Sequence, residues 1–575
     1  MLKQSQKILI KSFNYSNKRI INNSKIGFKN QLFRNYTTNS IKNSINNNNN
    51  NANKFNTFLS IITILGIGLT ISSSSIISND SSSSKKNAKK LISVEEFVKH
   101  NKPDDCWVVI HGNVYDMTDF IPKHPGGRAP ITINAGKDVT DIFTPIHPPG
   151  VIEQYLPKDK FLGKIDGDAP KPEVVLDDDE IERLDNVDNK PSLNKIFNLH
   201  DFEYVAKSIL PKNAWAYYSS GSDDEIIMRE NHYAYQRIYF RPRILEKVGS
   251  IDLSTEMLGI KTSVPFYITA TALAKLGHPE GEVAIAKAAG KEDVIQMIST
   301  FSSCSLDECA EASIEGQSQW YQLYVNTERK VAFDLVKKAE NLGMKGIFIT
   351  VDAPCLGNRE KDRKMKFTED TSIGIGESAE RDSGAAAALS SFIDPNLCWD
   401  DIKEIKSRSN IPIVIKGVQR VEDVLKAAEY GVNGVVLSNH GGRQLDFAPA
   451  PVQLLAEVMP ILKRKNLDKN FDVFVDGGVR RGTDILKALC LGAKGVGIGR
   501  PILYSLSGYG EEGVRKAIHI LKDELELDMR LLGAKNIGEL NPNFVDTRNL
   551  IGRYAPDSLY GQVYTPLDFV KFKNE

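Results

Sequence analysis

FDVFVDGGVRRGTDILKALCLGAKGVGIGRP, residues 471–501, decides the fold. A β-branched run, FDVFVDGGV (471–479), ends on Asp476, Gly477 and Gly478. A helical stretch follows, and a second run, GVGIGRP (495–501), ends on Gly499 and Arg500. Strand, helix, strand with short joints is the unit of an α/β fold. Six more runs precede it: VPFYITAT (264–271), QMIST (296–300), WYQLYV (320–325), GIFITVDAP (346–354), IPIVIKGV (411–418) and GVVLSNHGG (434–442). Eight strands alternating with helices over residues 197–560 predict an α/β TIM barrel, (β/α)8. A doubly wound sheet is the alternative, but no G-x-G-x-x-G follows the first run.

In a barrel the C-terminal strand ends converge on the catalytic face. Thr350 and Asp352 end the fourth run, Lys416 ends the fifth, and His440 and Arg443 follow the sixth. Glycines after runs seven and eight let backbone N–H groups approach a phosphate, to which Arg480 and Arg500 add charge-assisted bonds. Structural turns would use the same glycines. His440 is a candidate base, with Asp352 able to hold its imidazole. Arg443 can grip a carboxylate bidentately, and Lys416 can balance negative charge on a reduced cofactor. Base, clamp and cation together suit oxidation of a 2-hydroxy acid.

Upstream lies DCWVVIHGNVYDMTDFIPKHPGG, residues 105–127. Val108 to Tyr115 alternates like a strand, with Gly112-Asn113 as a hairpin turn signal. His124 opens HPGG, and His147 sits in IFTPIHPPG. Two histidines on opposed loops can clamp a haem iron from both sides, leaving it to carry electrons. A surface histidine on a bare turn is the alternative. Phe120, Ile131 and Phe143 suit the apolar pocket and suit a plain core equally well. Residues 90–166 make this small module, and 167–196 read as an acidic, solvated linker.

The 73 Lys+Arg and 73 Asp+Glu cancel, but unevenly along the chain. Residues 1–79 hold ten basic side chains and no acid, leaving 63 basic against 73 acidic groups in the remainder. An acidic body argues against nucleic-acid binding. The basic, Asn- and Ser-rich start reads as a mitochondrial transit peptide, with a low-complexity tail as the alternative. Phe58 to Ile71 (FLSIITILGIGLTI) is short for a membrane span but suits a sorting signal. Together they predict the mitochondrial intermembrane space, in association with the inner membrane through residues 58–71. The six cysteines form no C-x-x-C pair, so zinc is not indicated and they read as mostly buried thiols.

Two resemblances sharpen this reading. Residues 90–166 resemble the cytochrome b5 family, a small α+β fold, through the WVVIHGNVYDMTDF lead-in, HPGG and the second histidine. Residues 197–560 resemble the FMN-dependent 2-hydroxy acid dehydrogenase/oxidase family. WAYYSSG, WYQLY, TVDAP, IVIKGV, SNHGGRQLD and the opening stretch carry that likeness. The first resemblance implies haem b ligated by His124 and His147. The second implies FMN bound by Ala270, Thr271, Ala272, Ser299, Gln322, Thr350, Lys416, Asp476, Gly477, Gly478, Val479, Arg480, Gly499 and Arg500. It also implies His440 as proton acceptor with Asp352 as its partner, and Arg443 and Tyr217 on the substrate carboxylate. Tyr324 falls on the substrate oxygen, Arg359 is a second, mobile carboxylate contact, and Lys416 stabilises reduced flavin. The combination implies L-lactate as substrate, cytochrome c as final acceptor and a homotetramer. A glycolate-type oxidase handing electrons to oxygen is the alternative. Phe301, at the end of the second run, favours a small substrate side chain. Residues 368–391 read as a mobile loop, and 561–575 as a C-terminal tail.

Overall fold

The computed structural model describes residues 91–124, 128–147, 149–172, 177–365, 392–550 and 552. The leader of residues 1–79, the turn Pro125-Gly126-Gly127, residues 368–391 and the tail 561–575 lie outside them. Among the described residues no helix is long and apolar enough to cross a membrane.

The small module is built on one sheet. Its strands are β1 (Leu91–Ser93), β2 (Asn101–Lys102), β3 (Asp105–Ile110), β4 (Asn113–Asp116), β5 (Lys137–Asp138) and β6 (Phe161–Asp166). They run in the order β1-β6-β4-β3-β2, with β5 beside β3. Alternation sorts the side chains of β3: Cys106, Val108 and Ile110 join one core, while Val109 joins a second with Ile92, Phe97 and Val114. Ile110 pairs with Asn113, so the hairpin turn is His111-Gly112, one residue before the position predicted. Both turn residues have positive φ, 51° and 73°, as a type I′ turn requires.

The large domain is a closed eight-stranded parallel barrel. A short strand, β7 (Tyr239–Phe240), pairs with the late strand β18 (Val545–Asp546). A hairpin, β8 (Thr255–Met257) and β9 (Ile260–Thr262), lies at the N-terminal end of the barrel. The barrel strands are β10 (Phe266–Ile268), β11 (Gln296–Ser299), β12 (Gln319–Leu323), β13 (Ile347–Thr350), β14 (Ile413–Val418), β15 (Gly434–Leu437), β16 (Asp472–Asp476) and β17 (Gly495–Ile498). All eight predicted runs are therefore strands. Tyr267, Met297, Trp320, Phe348, Val414, Val436 and Phe474 fill the interior, with Met257 plugging its base. Their sequence neighbours Ile268, Ile298, Tyr321, Ile349, Ile415, Leu437 and Val475 point outward to the helices. The runs read as continuously apolar because both faces are buried.

The linker departs from the prediction of a solvated tether. Asp178–Asp188 is a helix, N-capped by Asp177 and acidic in its first turn, which suits the helix dipole. Arg183 donates to the Ile209 carbonyl, Lys190 to that of Gly508, and the Tyr509 hydroxyl donates to that of Pro191. Residues 177–196 thus belong to the barrel domain.

Phe474 is fully buried and packs against Tyr267, Trp320 and Phe348. Phe474→Ala should cost about 3–5 kcal/mol, read as a lower urea midpoint for the barrel transition. Leu531→Ala, on an exposed side chain, should stay within about 0.5 kcal/mol.

Candidate functional site

The barrel mouth holds a cavity of about 1100 Å³. All fourteen residues assigned to FMN line it, as do Tyr217, Tyr324, Arg359, His440 and Arg443. Asp352 stands behind His440 on the wall of a neighbouring cavity. Thr269, Tyr218, Leu356, Ile393 and Gly441, not singled out in the sequence, also line the mouth.

Parallel register explains the convergence. Ser299 pairs with Gln322 and Thr350 with Lys416 at consecutive strand ends. Ser299 Oγ donates to Gln322 Oε1 at 3.1 Å, and Gln322 Nε2 donates to Thr350 Oγ1 at 2.9 Å. Lys416 Nζ lies 3.3 Å from Asp476 Oδ2 and 3.2 Å from Ser438 Oγ. Burial opposes the Lys416 charge, but Asp476 and Asp352 outweigh it and raise its pKa.

His440 Nδ1 lies 2.9 Å from Asp352 Oδ1, and Nε2 lies 3.2 Å from the Tyr324 hydroxyl. With the proton on Nδ1 donated to the carboxylate, Nε2 keeps its lone pair for a substrate. Burial lowers the His440 pKa, Asp352 pulls it up, and Lys416 and Arg359 push it down. Burial opposes the Asp352 charge, yet the imidazole and Lys416 hold its carboxyl below the usual range. The imidazole is thus neutral and oriented near neutral pH.

Two guanidiniums face this imidazole region. Arg443 stacks over the Tyr217 ring at 4.9 Å and donates to the Tyr217 and Ser220 carbonyls. Arg359 is a buried cation, not a surface charge. Burial and the neighbouring Arg443 depress its pKa to about 10. Its hydrogen bonds go to the Arg443 carbonyl and Gln444 Oε1, neither of which is an anion. Asp362 offsets that charge only in part; a buried cation hydrogen-bonded to neutral oxygens is stabilised by an anionic ligand, and two such forks fit a carboxylate. Phe301 stacks on Tyr324 with ring centres 5.0 Å apart and joins Ile393 at this end of the cavity.

The phosphate end is similar. Arg500 donates to the carbonyls of Tyr218, Ser220 and Gly441, and burial depresses its pKa to about 10. Arg480 reaches Glu203 at 3.5 Å. Gly477 and Gly478 have φ of 94° and 79°. A Cβ on Gly478 would lie 2.2 Å from the Asn231 carbonyl oxygen, so glycine is required there. Asp476 Oδ1 is buried with no protein partner. Cationic forks at one end, an orphaned acceptor and a polar strand-end row fit a flavin phosphate, its ring edge and a small carboxylate.

The second site is in the small module. A cavity of about 960 Å³ is lined by Val108, Phe120, Ile131, Phe143, His124 and His147 among other, mostly apolar side chains. The His124 and His147 ring centres are 6.2 Å apart. One iron bound by a nitrogen of each ring at about 2 Å would set them about 6 Å apart. His147 Nδ1 lies 3.1 Å from the Phe143 carbonyl, which fixes its proton there and leaves Nε2 as the ligand atom. The donor pair and the apolar walls fit haem.

Sequence reasoning missed several supports. Gln444 donates to the Asp352 and Cys355 carbonyls and accepts from Gly357 and Arg359. It sits inside SNHGGRQLD, so extending that motif by one residue was the available signal. Ser438 accepts from the His440 amide. His232 Nδ1 lies 2.8 Å from the Gly478 carbonyl at the phosphate loop. Nothing in its local sequence marks that position.

Residues 206–547 match the model of the FMN-dependent dehydrogenase family, and residues 93–166 that of the cytochrome b5-like heme/steroid binding domain. An L-lactate dehydrogenase (cytochrome) from Wickerhamomyces anomalus is 61% identical over 83% of this chain and 84% of its own length. One from Saccharomyces cerevisiae is 55% identical over 84% and 85%. A solved mutant flavocytochrome b2 with pyruvate bound superposes with a TM-score of 0.62 at 54% identity, covering 70% of this chain and all of that one. Glycolate oxidase 3 from Arabidopsis thaliana is 43% identical but covers 61% of this chain.

His147→Ala should lose most of the bound haem while retaining FMN, as read from haem and flavin absorbance of the purified protein. Retention of a full haem complement would contradict the two-histidine site.

Proposed function

Because the chain belongs to the FMN-dependent dehydrogenase family and carries a cytochrome b5-like haem domain, we propose that it oxidises L-lactate to pyruvate and passes the electrons through haem b to cytochrome c. The observation that carries this reading is the pairing of two sites in one chain. An imidazole–carboxylate pair faces two guanidiniums at the barrel mouth, and two imidazoles stand 6.2 Å apart in the apolar pocket.

L-Lactate gives up two electrons and two protons to become pyruvate. FMN supplies the two-electron acceptor, and haem b carries single electrons onward. Arg443 and Arg359 hold the carboxylate from two sides, with Tyr217 packed under Arg443. The Tyr324 hydroxyl fixes the substrate oxygen beside His440 Nε2. Burial and Asp352 raise the pKa of Tyr324, so it stays a neutral donor. His440 Nε2 accepts a substrate proton, and Asp352 stabilises the imidazolium that forms. Lys416, buried beside Asp476, supplies positive charge where the reduced cofactor carries negative charge. Phe301 and Ile393 offer apolar surface to the substrate's methyl group.

The partner and location follow the same reading. The excess of acid over base beyond residue 79 favours encounter with a basic carrier. The acid-free leader and the apolar residues 58–71 support delivery to the mitochondrial intermembrane space. Exposed Leu445 and Phe447 offer apolar surface for assembly into a homotetramer.

Asp352→Asn removes the carboxylate that raises the His440 pKa. The acid limb of kcat/KM should then move to lower pH while kcat falls roughly 10²-fold. An unchanged rate would remove Asp352 from the mechanism.

Anaerobic L-lactate should bleach the flavin absorbance and then reduce the haem. His124→Ala should keep the bleaching and lose cytochrome c reduction. Cytochrome c turnover should also fall as salt rises. Preserved cytochrome c reduction in His124→Ala would refute the haem relay.

A further inference from the structure

The loop carrying His440 leans on one helix. Asp446 accepts the backbone N–H groups of Ile226 and Ile227 and so caps the helix Ile226–Gln236 from the catalytic loop. One residue on, in the same turn, Gly442 lies against Met228, so that a Cβ there would sit 2.5 Å from the Met228 Cα. Next comes Asn231, with 1% of its surface exposed, facing Asn439 at the same exposure. Asn231 Nδ2 donates to Asn439 Oδ1 at 2.8 Å, and Asn439 Nδ2 donates back to Asn231 Oδ1 at 2.7 Å. Asn439 Oδ1 also accepts the Gly442 N–H at 3.0 Å. The Asn231 backbone lies beneath Gly478, and a Cβ on Gly477 would meet its side-chain nitrogen at 3.3 Å. Between these contacts His440, Gly441 and Gly442 all have positive φ, at 59°, 63° and 79°.

We infer that Asn231 is a positioning residue for the lactate reaction: its reciprocal amide pair with Asn439 locks the His440 loop in its left-handed conformation and ties it to the phosphate loop Asp476–Val479. This rests on the reading of His440 as the base. The pair is closed to water, so if Asn231 is lost Asn439 keeps only the Gly442 N–H and the Pro449 carbonyl as partners. Replacing Asn231 with an apolar side chain leaves one N–H and one carbonyl lone pair of Asn439 without a partner and loosens the hold on the loop, so that His440 can move relative to Asp352, Tyr324 and the substrate. Positioning errors of this kind act on the chemical step and not on binding.

The test uses full-length holoenzyme at saturating FMN, with L-lactate and its 2-deuterated form. In Asn231→Leu the rate of flavin reduction and kcat should fall roughly 10- to 100-fold, with KM little changed and the deuterium isotope effect on turnover retained or raised. Wider access of water to His440 should move the acid limb of kcat/KM to higher pH. The groups that face this imidazole, Asp352, Tyr324, Lys416 and Arg359, are all left in place. Asn231→Leu with Asn439→Leu removes both partners but also the acceptor of the Gly442 N–H and the donor to the Pro449 carbonyl; it should recover neither the melting temperature nor the rate. Asn231→Asp keeps the shape and one of the two bonds, serves if the leucine variant does not fold, and should show the same shifts in smaller degree. A wild-type rate and acid limb in Asn231→Leu or Asn231→Asp would overturn the inference, as would recovery of rate in the double variant. His440→Gln, measured alongside, keeps the two readings apart. If it too retains wild-type flavin reduction, the base assignment fails; if it alone is inactive, the role of Asn231 fails.

Discussion

Positive charge screened from water governs the barrel mouth. Arg359 is buried and Arg500 is partly so, and each spends its donors on neutral oxygens instead of carboxylates. Both are depressed to about 10 by burial. A cation in that setting has lost hydration that Asp362 beside Arg359 and Glu225 beside Arg500 offset only in part, and it is stabilised when an anion arrives. Arg500 stands at the first position of the helix Arg500–Leu532, where unpaired N–H groups add to the field. The two ends of the cavity therefore select two anions, a phosphate near β16 and β17 and a carboxylate near Arg443. Lys416 differs because Asp476 compensates it. It stays charged without a ligand and provides a constant field at the reacting edge.

The haem pocket solves the opposite problem. Its walls are almost wholly apolar, and recognition there rests on two imidazoles whose separation suits one metal ion. One chain thus offers a charged, hydrogen-bonding cavity to a two-electron oxidation and an apolar, doubly ligated one to single-electron transfer. The helix Asp178–Asp188 docks on the barrel domain through Arg183, so residues 177–196 are part of that domain and not an open tether.

Much of this was legible in the sequence for physical reasons. Barrel strands buried on both faces leave apolar runs with polar residues at their C-terminal ends, so 471–501 and SNHGGRQLD announce both fold and site. His124 and His147 are readable because haem ligation needs histidine on short turns. The supports were not legible. Asn231 and His232 lie on an ordinary helix, and their significance comes from a partner more than 200 residues away in sequence. The linker was misread because its acids suggest solvation, whereas they also favour the start of a helix. The hairpin turn slipped by one residue because Gly112-Asn113 is the commoner signal, while the β3–β4 register places His111 in the left-handed position.

Backbone strain at the base ties these threads together. A non-glycine residue in the left-handed region costs about 1–2 kcal/mol, and His440 adopts it at φ 59°. The conformation persists because its surroundings over-determine it. Ser438 takes the His440 amide, Asn439 takes that of Gly442, Arg500 donates to the Gly441 carbonyl, and Asp352 and Tyr324 hold the ring. Arg500 belongs to the phosphate end, so the groove that binds the cofactor also braces the base. An imidazole on a relaxed loop would have to be ordered anew at each turnover. Here that ordering is completed in folding, by groups in the segments that follow β12, β13 and β15 and at the start of the helix Arg500–Leu532, so the imidazole proposed as the base is already in place.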